Sequence, residues 1–359
     1  MPLFAQQSPA KRNERRTGRL TPKIDAWTHV FPKPYLDRVL AMPPGPQSQV
    51  LELLMSVPAL SDMDLRFRAM DGFGDYRQVI TPVPNLHLPL VPGNPSLATE
   101  LVRISNDEMA AIGDKHRDRF RGFAATLPMH DPQEALKELD RVIGLGALGV
   151  QIEASVNGEA LDAPRHEAFF ARMAALGRPI WIHPVRTPLW PDYPGEKTSR
   201  YALWQALGWP YETSVCLARL VFAGHLQRHP NLKIIAHHGG AMIPHFSDRL
   251  GRQLEFWGQR FDAELGAVVQ SLGKPLLDYF RMFYVDTALN GAKHAVACVV
   301  EFFGAGHVLF GTDTPFDQEQ GQGFIRDTIA DIEALGLDET ARTQIYRDNA
   351  TRLLNLPQA

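Results

Sequence analysis

Short apolar runs alternate with longer amphipathic segments along most of this chain. The runs are rich in Val, Ile and Phe and are bounded by Gly, Pro or charged residues, which predicts strands. Runs without polar alternation indicate strands covered on both faces, as in a parallel sheet flanked by helices. The predicted strands are Lys23–His29, Arg77–Val83, Arg121–Leu127, Gly149–Ile152, Ile180–His183, Leu232–His238, Met282–Asp286 and His307–Asp313.

Helical patterns fill the segments between these strands. After Arg121–Leu127, Asp131 is placed to cap a helix that has Pro132 in its first turn. The alternation of eight strands with helices predicts a single α/β domain, a (β/α)8 TIM barrel. A doubly wound open sheet is the alternative, but no glycine-rich phosphate-binding pattern follows the first strand. Further predicted helices are Ser96–Ile112, Pro164–Leu176, Glu212–His229, Met242–Arg260 and the closing segment Phe324–Leu354.

Potential metal ligands stand at the ends of several predicted strands. Leu232–His238 ends in two histidines and then breaks into Gly239 and Gly240, and on the first strand Trp27 and His29 share a face. The carboxyl ends of barrel strands meet at one mouth, where catalytic residues of this fold lie. A single strand-end histidine is more often a hydrogen-bonded structural group. Several such strand ends taken together predict a divalent metal site built from His29, His183, His237 or His238, and Asp313.

Composition narrows the classes of partner. The formal net charge is −3, with 45% hydrophobic and 21% charged residues, which is typical of a soluble globular chain and gives no reason to expect nucleic acid or an anionic membrane as partner. No apolar run is long enough to cross a bilayer. The two cysteines, Cys216 and Cys298, lie in apolar segments. A reducing, cytoplasmic setting is the simplest expectation.

Three segments outside the strand–helix pattern carry expectations of their own. Residues 1–22 are basic and polar, without a following hydrophobic stretch, and are predicted to be a disordered arm rather than a signal peptide. The proline-rich segment Pro84–Pro89 is predicted to be either a wall or lid over a site or a plain connector. The long loop Pro184–Trp209 is expected to be functional because loops of this length are uncommon inside compact domains.

Several strings also resemble the amidohydrolase superfamily, and most closely its branch of 2-amino-3-carboxymuconate-6-semialdehyde decarboxylase and the dihydroxybenzoate decarboxylases. The similarity runs in order from about Lys23 to Leu354 and implies a barrel over residues 23–359, a metal site at its mouth and non-oxidative decarboxylation. The strings are Ile24–His29, Gly149–Ile152, Ile182–Pro184, Trp209–Thr213, His238–Gly240, Gly311–Phe316 and Asn349–Leu354.

The resemblance implies a role for individual residues. His29, His183 and Asp313 become the metal ligands, and His238 becomes the acid/base histidine, with Asp313 also moving protons. His237 is then expected to face away from the site, since neighbouring strand residues alternate.

Substrate contacts, cofactor and assembly are further expectations of the same resemblance. Arg249 matches an arginine that holds a substrate carboxylate, sometimes across a dimer interface, so a homodimer is implied. A plain solvent-exposed arginine is the alternative. Arg186 and Trp190 are candidates for binding a small-molecule carboxylate substrate. Zinc is the expected divalent ion and manganese the alternative.

Trp27 is a departure from the pattern of this branch. Members of the branch usually carry His-x-His on the first strand, and Trp27 replaces the first histidine. An indole has no lone pair for a metal, so one ligand is lost, although three ligands and water still form an open catalytic site. Trp27 could instead offer a flat face to an aromatic substrate. Two alternatives to decarboxylation stay open: a metal-dependent hydrolase of a lactone or amide, which would use the same ligands, and a metal-free binding barrel that lost the metal through Trp27.

Overall fold

The computed structural model describes residues 21–42, 48–83 and 94–357. In these residues eight parallel strands form one sheet, and each barrel strand pairs with the next one along the chain. The strands are β1 (Lys23–Val30), β2 (Tyr76–Pro82), β3 (Phe120–Thr126), β4 (Gly149–Glu153), β5 (Pro179–His183), β6 (Lys233–Ala236), β7 (Tyr284–Asp286) and β8 (Val308–Leu309).

The sheet closes on itself between the last strand and the first. The amide of Ala26 donates to the carbonyl of Phe310 at 2.8 Å, and the amide of His29 donates to that of Thr314, also at 2.8 Å. A parallel bridge between Thr28 and Thr314 completes the contact. The predicted (β/α)8 barrel is therefore confirmed, and the open-sheet alternative is excluded.

Helices cover the outside of the barrel, and the predicted cap of one of them is present. Asp131 Oδ1 accepts from the amides of Gln133 and Glu134, which satisfies two N–H groups at the start of Pro132–Gly144. The α-helices described are Lys33–Leu40, Ser48–Met55, Met63–Met70, Pro95–Lys115, Pro132–Gly144, Glu167–Leu176, Leu203–Ala206, Gly208–Phe222, His225–Arg228, Leu254–Arg260, Ala263–Ser271, Leu276–Phe280, Lys293–Phe303, Gln322–Glu333, Glu339–Thr343 and Asn349–Leu353.

The core has an outer and an inner part. The outer part lies between the sheet and the helices, as the uninterrupted apolar strands predict. The inner part fills the barrel around Trp27 and Trp181, whose indole N–H donates to the carbonyl of Ala26 at 3.0 Å. Leu353 and Leu354 of the closing segment pack into this inner part. The C-terminal segment thus closes the amino end of the barrel and leaves the carboxyl end for a site.

Some predicted helices are shorter than expected. The helix predicted over Met242–Arg260 is regular only in Leu254–Arg260, because Pro244 lacks an N–H and Gly251 has non-helical dihedrals. The helix predicted over Glu212–His229 is divided at Gly224, which has a φ of 75° that favours glycine. Neither change moves a strand.

Two of the predicted segments lie outside the described residues. They are all but the last two residues of the N-terminal arm 1–22, and the proline-rich segment Pro84–Pro89 beyond β2. Among the helices of the described ranges, none combines the length and the apolar character needed to cross a bilayer.

Candidate metal centre

Three histidines and one aspartate meet at the carboxyl end of the barrel. The ring nitrogens of His29, His183 and His237 can approach one another within 4.8 Å, and all three residues are buried. Asp313 Oδ1 lies 3.2 Å from His29 Nε2 and 3.3 Å from His237 Nε2. The four side chains come from the ends of β1, β5, β6 and β8, so the barrel alone brings them together.

The orientation of each buried imidazole is fixed through its Nδ1 atom. His29 Nδ1 donates to the carbonyl of Pro82 at 2.8 Å, and His183 Nδ1 donates to that of Pro184 at 2.5 Å. His237 Nδ1 donates to Asp286 Oδ2, also at 2.5 Å. These bonds place the proton on Nδ1 and direct each Nε2 atom toward the others, which is the usual preparation of a histidine ligand.

The expectation that His237 faces away from the site is wrong. Strand β6 ends at Ala236, and His238 has a left-handed φ of 54°, so the alternation of an extended strand no longer applies after Ala236. Both histidines consequently reach the cluster. Their rings stack at 3.7 Å, and His238 Nε2 lies 3.6 Å from Asp313 Oδ2.

Burial and neighbouring charges give the titratable side chains of the cluster different protonation states. Burial and the nearby histidines hold the pKa of His183 well below its usual value, so this ring is neutral at pH 7. Burial also opposes charge on His237, but the carboxylates of Asp286 and Asp313 outweigh it and raise its pKa to about 9. Burial favours the neutral form of Asp313, yet His237 and hydrogen bonds from the histidines keep its pKa well below the usual value. Asp313 is therefore an anion in this site.

Trp27 occupies the inner wall of the cluster. Its indole is fully buried and stacks on His237 with ring centroids 3.9 Å apart and an interplanar angle of 4°. Its Nε1–H donates to His29 Nε2 at 3.3 Å, a long hydrogen bond to the atom that would bind a metal. One face of Trp27 is thus covered by His237, and contact between this indole and a substrate stays a prediction.

Arg186 and Trp190 lie on the loop that follows β5. Glu212 holds this loop, because its Oε2 atom accepts from the amides of Val185 at 3.0 Å and Arg186 at 2.7 Å. The Arg186 guanidinium lies 5.9 Å from the Trp190 ring, and its buried Nε has no hydrogen-bond partner among the described residues. Arg249 is exposed in the turn Arg249–Gln253 and is not part of the cluster.

Other residues of the site were not singled out from the sequence. Trp209 lies 5.5 Å from the ring of His183 and 6.4 Å from that of His238, and Phe316 lies 5.4 Å from His29. Gln151 Nε2 donates to the Pro82 carbonyl that orients His29, and the buried Gln151 Oε1 has no hydrogen-bond partner within residues 21–42, 48–83 and 94–357. The available signals were that Gln151, Trp209 and Phe316 lie in strings that carry the family resemblance, and that Trp209 ends the long loop. Position along the chain alone does not indicate proximity to the histidines.

Known proteins are similar to this chain over most of its length. A family profile described as Amidohydrolase matches residues 24–356. A gamma-resorcylate decarboxylase from Rhodococcus jostii (strain RHA1) is 30% identical over 310 residues, 83% of this chain and 88% of that protein. A 2-amino-3-carboxymuconate-6-semialdehyde decarboxylase from Dictyostelium discoideum is 29% identical over 297 residues, 82% of this chain and 77% of that protein. A dihydroxybenzoic acid decarboxylase from Polaromonas sp. JS666, solved with bound manganese and 2-nitroresorcinol, superposes with a TM-score of 0.74 at 25% identity, covering 94% of this chain and 98% of that one.

Proposed function

Since the chain belongs to the amidohydrolase family, we propose that this protein is a metal-dependent, non-oxidative decarboxylase of an aromatic or unsaturated carboxylic acid. The observation that carries the proposal is the convergence of His29, His183 and Asp313 at the carboxyl end of the barrel. The named activity of the relatives, removal of a carboxyl group from such acids, supports the choice of reaction.

The donor set fits a divalent ion. The Nε2 atom of His29, which accepts a long hydrogen bond from Trp27, faces the anionic Asp313 across 3.2 Å, and a cation would relieve this approach of two acceptors. We assign His29, His183 and Asp313 as ligands, and zinc and manganese both accept such nitrogen and oxygen donors. The manganese in the Polaromonas structure makes manganese a strong candidate. When bound, such an ion would supply Lewis-acid chemistry for polarising an oxygen of the substrate.

We propose His237 as a fourth donor in this chain, with the entering cation displacing the proton that the raised pKa of about 9 leaves on this imidazole. Its Nε2 atom is within reach of His29 and His183, and it lies 3.3 Å from Asp313 Oδ1. Trp27 stacks on the His237 ring and holds it in this place. Trp27, which replaces a potential histidine ligand on β1, thus positions His237 as a ligand after β6.

His238 is the proposed proton-transfer group, together with Asp313. Its side chain is 16% exposed, whereas that of His237 is completely buried, so His238 is the histidine that a substrate in the mouth can contact. When carbon dioxide leaves, the carbon that carried it must receive a proton. Asp313 Oδ2, 3.6 Å from His238 Nε2, orients the ring for that transfer.

The loop after β5 is proposed to hold the substrate carboxylate. The unpartnered Nε of Arg186 is a buried cationic donor that an anionic ligand would satisfy. Trp190 and Trp209 are placed to give flat apolar surfaces for a planar substrate. Arg249 is exposed, which fits the proposal that it acts on the partner's site in a homodimer.

The test is an assay of carbon dioxide release from carboxylated phenols after loading with manganese or zinc. Release is expected from the wild-type protein, with a loss of about 100-fold or more in His238→Ala and Asp313→Asn. Cyclic esters and amides are assayed in parallel for acid release. Acid release without carbon dioxide would replace this proposal with a hydrolase, and full decarboxylation in both variants would remove the assigned roles.

A metal-free binding barrel is the second candidate, and the Trp27 N–H directed at His29 Nε2 is the observation that favours it. Elemental analysis of protein purified without chelator separates the two. Absence of metal even after incubation with manganese and zinc would favour the binding barrel.

A further inference from the structure

A second cleft lies at the opposite end of the barrel from the histidines. It has a volume of about 760 Å³ and is bounded by the amino ends of β1, β2 and β3 and by the C-terminal segment. Lys23 and His29 lie at the two ends of β1, six residues apart, which separates the cleft from the metal centre by about 20 Å at ~3.3 Å per residue. The charged residues that line it are Lys23, Arg77, Arg121, Arg347 and Arg352, with Asp75 and Asp348.

The cations of this cleft outnumber its carboxylates. Arg77 pairs with Asp75 at 3.3 Å, and Arg347 pairs with Asp348 at 2.7 Å. Within the described ranges, the remaining cations of the cleft form no ion pair. Their hydrogen bonds go to carbonyl and amide oxygens, Arg121 to Pro357 and Arg352 to Gly306 and Asn349, each at 2.9 Å, and Lys23 to Thr21 at 3.2 Å.

Lys23 is the most unusual of these groups because it is only 7% exposed. Its ammonium donates to one carbonyl and lies 5.2 Å from the ring of Tyr346, so part of its donor capacity is unused. Burial lowers its pKa, although the more distant carboxylates of Glu333 and Asp75 oppose this effect. A nearly buried cation without a paired carboxylate is costly unless a ligand completes it.

Arg121 faces the same cleft beside another cation. Burial and the neighbouring Arg77 lower the pKa of Arg121, while Asp75 opposes this effect. Like charges held together around a concave surface attract a multiply charged anion, and guanidinium groups match the oxygens of phosphate in two-point hydrogen bonds.

We propose that this cleft binds a multiply charged phosphate-type anion, such as the diphosphate group of a phosphorylated small molecule. Lys23, Arg121 and Arg352 supply three positive charges that form no ion pair with any described residue, and three such charges match an anion with two or three negative charges better than a monocarboxylate. The volume exceeds that of a free phosphate and leaves space for the remainder of such a molecule. The inference is independent of the reaction at the metal centre.

The experiment is isothermal titration of inorganic diphosphate into the full chain at low ionic strength, with Arg121→Gln and Arg352→Gln as cleft variants. Binding of one diphosphate per chain is expected, and each cleft variant should weaken it about tenfold or more, since a charge-assisted hydrogen bond is lost. Arg172→Gln is the matched control, because Arg172 is an arginine of the outer surface paired with Asp140.

Three results would overturn the proposal. They are no binding of diphosphate at millimolar concentration, unchanged affinity in both cleft variants, or an equal loss of affinity in Arg172→Gln. Thermal unfolding of each variant without anion shows whether it is folded. Titrations with inorganic phosphate and sulfate complete the series, and equal affinity for all three anions would contradict the preference for a multiply charged phosphate group.

Discussion

At the residue scale, His237 is the group whose role depends most on this particular chain. It is fixed by Asp286 at Nδ1 and by stacking on Trp27, and its Nε2 atom points to the place where the ligands meet. Such restraint is what a metal ligand needs, because a ring that is already oriented loses little freedom when an ion binds.

Substitution of His237 tests its assignment as a ligand. His237→Gln is expected to weaken manganese or zinc binding by about 10- to 100-fold or more, the range known even for groups that only orient ligands. Competition with a chelator of known affinity measures the change. His225→Gln is the control, since His225 is equally buried but lies near Glu167, outside the cluster. An unchanged affinity in His237→Gln would remove His237 from the ligand set.

Two buried amides should respond differently to loss of their polar groups. In the part of the chain that the structure describes, Gln151 has one side-chain hydrogen bond and one buried oxygen without a partner, whereas the Asn106 amide makes bonds with Thr126 and Glu138 at 2.7 to 2.9 Å. Gln151→Leu should change the free energy of unfolding by less than about 1 kcal/mol, because removal of an unsatisfied acceptor offsets the lost bond. Asn106→Leu should destabilise by about 2 to 4 kcal/mol. Urea unfolding measures both changes in the free energy of unfolding. Equal destabilisation by the two substitutions would contradict the different hydrogen bonding of the two amides.

At the scale of elements, the helix Met63–Met70 supports the end of β1 through a buried arginine. Arg66 is inaccessible to solvent, and its guanidinium donates to Gln78 Oε1 and to the carbonyl of His29, each at 2.7 Å. The helix and the first two strands are therefore joined by charge-assisted hydrogen bonds directly behind a metal ligand.

Arg66→Ala is expected to lower the free energy of unfolding by about 3 to 5 kcal/mol, because the carbonyl of His29 and the Oε1 atom of Gln78 lose their guanidinium donor in the interior. Arg68→Ala is the matched control on the same helix, since Arg68 is exposed and should have an effect within about 0.5 kcal/mol. Chemical denaturation of both variants measures their free energies of unfolding. Similar stability of the two would show that Arg66 does not join these elements.

The sequence predicts the barrel strands well because their signal is local. Uninterrupted apolar runs such as Pro179–His183 need both faces covered, and this requirement holds wherever the run lies in the chain. The same signal predicts that His29, His183 and Asp313 meet, since the strand ends of a barrel share one mouth. This signal left His237 and His238 as alternatives, and the choice against His237 was wrong because the left-handed turn at His238 lies beyond β6 and cancels the alternation. Contacts across the barrel, such as Trp209 with His183, have no local signal.

At the scale of the whole molecule, ion pairs between outer helices connect stability to pH. Hydrogen bonds from Arg228 and His229, and the charge of His225, outweigh burial and lower the pKa of Glu167 to about 2. Its ionised form is favoured by folding, so the contribution is complete above the unfolded pKa near 4.5 and is lost as pH falls toward 2.

Comparison of the wild-type protein with Glu167→Gln tests this linkage. The difference in free energy of unfolding should be constant at neutral pH and should shrink as pH falls from about 4.5 toward 2. Urea unfolding at a series of pH values measures it. A difference that stays constant down to pH 2 would contradict the depressed pKa. The expected size is modest, because Glu167 is 39% exposed and solvent screens the pairs.

Association of two chains would bury the exposed aromatic side chains of the segment after β6. Phe246, Phe256, Trp257 and Phe261 are exposed there, close in sequence to the exposed Arg249. Apolar groups of this size on one segment are typical of a subunit interface, and an arginine at its edge could reach the partner's substrate.

Trp257→Glu should therefore shift sedimentation from dimer to monomer and lower kcat/KM together. Leu145→Glu, a similarly exposed apolar position on another surface, should leave both unchanged. A wild-type chain that sediments as a monomer at micromolar concentration would restrict Arg249 to its own subunit.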